Sequence, residues 1–125
     1  MRGTIQRLDF QAPVKTVSEM NQREHWAVKN KRKKAQQQEM LAVLHNNLSG
    51  RQVKLPCVVK LTRIGPKALD VDNLAGAMKH VQDAIAGKLG VDDGDVSRVT
   101  WEYAQMPIRI REYAVKVEIR SLSLG

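Results

Sequence analysis

Residues 52–62, QVKLPCVVKLT, followed after Gly65-Pro66 by residues 72–89, DNLAGAMKHVQDAIAGKL, decide how this chain folds. In the first stretch Val53, Leu55, Cys57, Val59 and Leu61 share one parity, while Lys54, Lys60 and Thr62 take the other. That period of two predicts a half-buried strand, because successive side chains leave a strand on opposite faces. In the second stretch Leu74, Met78, Val81 and Ile85 recur at helical spacing, which predicts one amphipathic helix over 72–89. Gly65-Pro66 supplies the stop between them.

The flanks extend the alternation. Residues 3–10 read as a first strand, with an irregular segment around Pro13 after it. Residues 24 to about 47 hold strong helix formers and no Gly or Pro, then meet the Asn46-Asn47-Leu48-Ser49-Gly50 stop, so a long helix is expected there. Val99-Trp101-Tyr103 and Tyr113-Val115-Val117-Ile119 read as two closing strands joined through a loop at Pro107. The order β-α-β-α-β-β predicts an α+β fold, a mixed sheet with packed helices, and the length of 125 residues fits a single domain over 1–125. No apolar run is long enough for a leader or a membrane span, so a cytoplasmic protein with no membrane partner is expected. Cys57 is the sole cysteine; it leaves no internal disulfide and reads as a small buried hydrophobe.

Charge is unevenly distributed. The chain carries a net +8, which favours a polyanionic partner through counterion release. Residues 70–95 nevertheless hold six of the thirteen acids and only Lys79 and Lys88 as bases, a net −4, leaving 19 bases against 7 acids elsewhere. Six of the seven aspartates lie in that acidic island. Aspartate predominates where short, rigid carboxylates converge on a hard cation.

At roughly 100° per residue, a helix beginning at Asp72 places Gly76, Lys79 and Asp83 within about 40° of Asp72, opposite the apolar stripe. Asp70 lies just ahead of that helix, and Asp92-Asp93 returns from the loop beyond Gly90. Each acid has an ordinary explanation: a cap for Asp70 or Asp72, an acidic turn for Asp92-Asp93-Gly94-Asp95, a surface pair for Asp83 with Lys79. Together, four or more carboxylates converging without a cation would repel and cost stability. The residues themselves leave open which of Asp92, Asp93 and Asp95 joins such a cluster.

Asp70-Val71-Asp72-Asn73-Leu74, then Lys79 with Asp83-Ala84-Ile85, then Val91-Asp92-Asp93 with Val96, resembles the acidic core of RusA-like Holliday junction resolvases, a largely phage and prophage group. Upstream, Ser18, Asn21 and Arg23 resemble the segment that precedes the family's first helix. The resemblance implies that Asp70, Asp72 and Asp93 bind catalytic Mg²⁺, with Mn²⁺ able to substitute, and that Asp83 and Asp92 are additional acids nearby. It implies that Lys79 faces the scissile phosphate. It further implies a bacterial or phage-encoded homodimer that resolves four-way DNA junctions in recombination and repair. The chain departs from the pattern by three extra residues between Asp72 and Lys79 and one fewer between Asp83 and the aspartate pair.

Phosphodiester hydrolysis needs an activated water and a cation to absorb charge at the phosphoryl oxygens, and carboxylate-held Mg²⁺ supplies both. No Ser/His/Asp order, metal-binding His pair or phosphate-cradling glycine loop is present, so no nucleotide cofactor is expected. Arg23, Lys29, Lys31, Arg32, Lys33 and Lys34 form a basic stretch suited to DNA phosphates, with Asn21 beside it and Arg63 and Lys67 as further backbone contacts. Trp26 reads as a core or interface anchor rather than a base-stacking platform. Two alternatives stand beside the resolvase: a non-catalytic DNA-binding protein whose aspartates are caps and turns, and a nuclease for other branched DNA.

Overall fold

The computed structural model describes residues 3–18 and 25–123. Its elements are β1 (Thr4–Ile5), β2 (Arg7–Ala12), α1 (Trp26–Leu48), β3 (Gln52–Val53), β4 (Cys57–Gly65), α2 (Val71–Ala77), α3 (Lys79–Leu89), β5 (Val99–Pro107) and β6 (Ala114–Ser121). The α+β class and the mixed sheet are as expected.

The main sheet has the order β2-β6-β4-β5. β6 runs antiparallel to both β2 and β4, whereas β4 and β5 are parallel, as a strand–helix–strand crossover through α2 and α3 requires. In the register Val59 stands beside Trp101 and Ile119, and Arg63 beside Gln105 and Val115. One face therefore gathers Leu8, Phe10, Cys57, Val59, Leu61, Val115, Val117 and Ile119, all in the buried core. The opposite parity carries Arg7, Asp9, Lys60, Glu102, Lys116, Glu118 and Arg120, none of them buried. α1 lays Gln36, Met40, Leu44 and Leu48 inward, a buried stripe at every fourth residue, and packs against β2 and α3.

Three expectations need correction. The strand read over 3–10 is two, Thr4–Ile5 and Arg7–Ala12, which join different sheets. The strand read over 52–62 is two strands: Gln52–Val53 pairs in parallel with Thr4–Ile5, and the main-sheet strand begins only at Cys57. Pro56 between them has no N–H to give a ladder. β4 is also not half-buried, because its place between β6 and β5 shields Val58 and Thr62 on the second face. The helix read over 72–89 breaks at Met78, whose backbone sits at φ −90°, ψ −4° and whose N–H is shared between Leu74 and Ala75 carbonyls. The two halves have different partners: α2 packs on β5, α3 on α1, and fully buried Met78 fills the junction.

Among the described residues no helix is long and apolar enough to cross a membrane. Cys57 is buried, as expected, and burial pushes its thiol pKa up. Leu61 in β4 is fully enclosed, while Leu122 is half exposed. Leu61→Ala is expected to lower unfolding stability by about 2–5 kcal/mol in denaturant titration, and Leu122→Ala by about 0.5 kcal/mol or less.

Candidate functional site

β5 is an edge strand, and its odd-numbered side chains face the helices. Three of them, Trp101, Tyr103 and Gln105, tie down parts of the acidic island. Trp101 Nε1 donates to the backbone carbonyl of Asp93 at 2.9 Å. The Tyr103 hydroxyl donates to Gln82 Oε1, and Gln82 Nε2 reaches Asp93 Oδ2 at 3.4 Å. Gln105 clasps the backbone of Leu69, accepting from its N–H at 2.8 Å and donating to its carbonyl at 2.6 Å. Alternate residues on a strand are roughly 7 Å apart, so Gln105 and Trp101, which fasten the segment leading into Asp70 and the loop bearing Asp93, lie on one face roughly 13 Å apart with Tyr103 between them.

Asp70 is the N-cap of α2: Oδ1 accepts from the Asn73 N–H and Oδ2 from the Asn73 side-chain amide, both at 2.9 Å. Asn73 in turn accepts from the Ser18 hydroxyl at 2.7 Å, which brings the segment before α1 to the same place. Asp72, in the first turn of α2, is exposed and bonds to no described residue.

Lys79 opens α3 and holds two acids, Asp93 Oδ2 at 3.0 Å and Asp83 Oδ1 at 3.2 Å. The bond to Asp93, and then that to Asp83, raises the Lys79 pKa; the Lys79 ammonium chiefly, helped by Gln82, lowers that of Asp93. The other two loop aspartates serve their own turn. Asp92 Oδ1 accepts from the Gly94 N–H at 3.0 Å, and Asp95 accepts from Ser97 and pairs with Arg98 at 3.6 Å. Of the three, Asp93 is the one directed at α3.

The expected face of Asp72, Gly76, Lys79 and Asp83 on one helix does not form, because the break at Met78 puts Asp72 and Lys79 on separate helices. Only the Lys79–Asp83 part survives, as an i,i+4 pair. Among the described residues no three His, Cys, Asp or Glu side chains stand together as a group able to hold a metal ion. The structure ties the segments that carry these residues to one face of β5, with Asp93 engaged by Lys79 and Asp70 by Asn73.

The basic residues fall into separate places. Lys29 and Lys33 of α1 line a cleft of about 670 Å³ with Lys79 and His80 across from them. Lys31 and Lys34 are exposed and Arg32 is half-buried. Trp26, read as a core or interface anchor, is 72% exposed and lines the same cleft, so it is not a core residue. Arg63 and Lys67 border a second cavity, also lined by Lys15 and Arg111. Asn21 and Arg23 lie outside the described residues.

Sequence reasoning missed Gln82, Trp101, Tyr103 and Gln105. The available signal was parity: Trp101, Tyr103 and Gln105 continue the inward side that Val99 begins, and a polar group on a core-facing row must find a partner. No family model matches the chain, and no curated protein matches it.

The depressed Asp93 pKa contributes stability above the ordinary aspartate value that is lost as pH falls through the lower folded value. The raised Lys79 pKa contributes stability present below the ordinary lysine value and lost as pH rises through the higher folded one. In Lys79→Met without divalent metal, the Asp93 carboxyl followed by ¹³C NMR is expected to titrate at higher pH than in the parent. The variant's acid-side stability loss should also be shallower. An unmoved Asp93 titration would show that Lys79 does not hold the carboxylate.

Proposed function

We propose that the chain is a magnesium-dependent endonuclease of the RusA-like kind that cuts branched DNA, four-way junctions foremost. The observation that carries this reading is the fastening of the Asp70–Asp72 segment and the Asp93 loop to the same face of β5, through Gln105 and Trp101 with Tyr103 between them, in a chain of net +8.

The donors fit Mg²⁺ in kind. They are hard carboxylate oxygens; Asp72 is uncommitted among the described residues, and Asp93 is kept ionised by Lys79. Asp70, Asp72 and Asp93 would hold the ion, with Asp83 beside Lys79 and Asp92 shaping the loop. When bound, the ion supplies Lewis-acid stabilisation of phosphoryl charge and an acidified water.

The protein's own groups do the rest. Asn73 fixes both oxygens of Asp70, so one end of the acid pair keeps its orientation. Gln82, itself held by Tyr103, orients Asp93. Lys79 offers a compact cation at the cleft where Lys29 and Lys33 also face, suited to the charge of a phosphodiester. A two-fold dimer would present two such sites for paired incisions.

One observation favours the non-catalytic DNA-binding reading: Asp70, Asp92 and Asp95 each do ordinary capping or turn work. The two readings separate on a synthetic four-way junction and a linear duplex, each with and without Mg²⁺. The wild type is expected to cut the junction only with the metal, and Asp72→Asn to cut on the order of 100-fold more slowly or worse, the loss of a few kcal/mol of transition-state stabilisation. Binding without cutting, or an equally active Asp72→Asn, would refute the enzyme; equal cutting of duplex would refute junction preference alone.

A further inference from the structure

Arg63 occupies an unusual position for its charge. It continues the odd parity of Cys57, Val59 and Leu61 on the core-facing side of β4, and it is only 5% exposed. A guanidinium stays protonated at any physiological pH, so its burial is costly unless charge or hydrogen bonds compensate. The compensation present is partial. Nη1 donates to the Lys67 carbonyl at 2.6 Å, and the guanidinium carbon lies 5.9 Å from the Tyr113 ring centroid. Nε is buried with no hydrogen-bond partner, and among the described residues no carboxylate pairs with Arg63.

The cavity that Arg63 lines, about 660 Å³, adds more positive charge rather than a counter-charge. Lys15, Lys67 and Arg111 border it, as do Ser18 and Tyr113. Lys15 Nζ sits 4.9 Å from the centre of the same Tyr113 ring. Room for the guanidinium depends on Gly65, where an added Cβ would lie 3.2 Å from both Arg63 Nη atoms and from Tyr113. Three cations around a buried, half-satisfied guanidinium fork describe a cradle for a tetrahedral oxyanion.

We propose that Arg63, Lys15, Lys67 and Arg111 form a phosphate-binding pocket that takes a nucleic-acid backbone phosphate flanking the one to be cut. The oxyanion chemistry follows from the pocket itself; its assignment to a backbone phosphate rests on the nuclease reading above. The placement supports that assignment. Leu69 and Ser18 line the pocket; Leu69 immediately precedes Asp70, and Ser18 donates to the Asn73 that holds Asp70. The pocket therefore adjoins the start of α2 from the side of β4, and a strand seated in it would run toward the acidic residues.

The test uses the full chain in metal-free buffer. The Arg63 Nε–H and Gly65 amide signals are followed by ¹⁵N NMR as inorganic phosphate, a short DNA duplex and a four-way junction are added separately. Expected is movement of both signals by phosphate and by DNA, with DNA effective at far lower concentration. Lys67→Ala and Arg111→Ala, at exposed positions, should each weaken DNA binding and reduce the salt-dependence slope by about one. Signals unmoved by either ligand, or variants with unchanged affinity and slope, would overturn the pocket. Movement with phosphate but not with DNA would overturn the backbone assignment in favour of a free phosphate ligand. A chain that binds DNA through Arg63 yet never cuts upholds the pocket and ends the nuclease reading. Cutting with the Arg63 signal unmoved by DNA does the reverse.

Discussion

The hydrogen bonds that Trp101, Tyr103 and Gln105 send inward from β5 set where the acidic segments lie. A strand's inward row is normally apolar, and a polar group placed there must be satisfied or costs about 1–3 kcal/mol. Each of these side chains finds its partner in a segment that carries carboxylates: the Asp93 carbonyl, Gln82 beside Asp93, and the backbone of Leu69 ahead of Asp70. The acidic loop and the start of α2 are thereby indexed to the strand, not left to the looser geometry of surface turns. The break at Met78 serves the same arrangement. It frees α2 to pack on β5 while α3 packs on α1.

Electrostatics then divides the surroundings of α2 into two unlike parts. On one side an ammonium, Lys79, stands between two carboxylates, and mutual attraction shifts Lys79 and Asp93 toward their charged forms. On the other a guanidinium, Arg63, is enclosed among further cations with no carboxylate partner among the described residues, and burial pushes its pKa down. An excess of acid in one place and an excess of buried base beside it suits a ligand that is anionic along its length and reacts with a bound cation at one point. A nucleic-acid backbone has that character. The Lys29–Lys33–Lys79 cleft, with exposed Trp26 at its rim, lengthens the cationic track.

Much of the fold was legible because period alone separates strand from helix. The long helix read over 24 to about 47 is Trp26–Leu48, and the parity of Cys57, Val59 and Leu61 is the core parity of β4. Breaks were less legible. Nothing in the apolar spacing of Leu74, Met78, Val81 and Ile85 signals that the two halves of their helix have different packing partners, since that depends on β5 far along the chain. The strand split at Pro56 had a local signal in the missing N–H, which the alternation of Val53, Leu55 and Cys57 obscured. Within the site, Asp70 as a cap and the Lys79–Asp83 pair followed from spacing, whereas Gln82 emerges only from the tertiary register, and the inward parity of Trp101, Tyr103 and Gln105 gave no sign of their partners. Arg63 was legible as a base but not as a buried one, although its odd position continued the inward row.

The most direct measurement of whether the acidic segments share a cation is paramagnetic broadening by Mn²⁺, a spectroscopically visible substitute for Mg²⁺, in ¹⁵N spectra of the full chain. At low Mn²⁺, amide signals of residues 70–73 and 92–94 are expected to broaden together, along with Tyr103 on the strand between them, and excess Mg²⁺ should reverse the effect. Asp72→Asn should weaken it in both segments at once. Broadening confined to one segment, or none that Mg²⁺ displaces, would contradict a shared site.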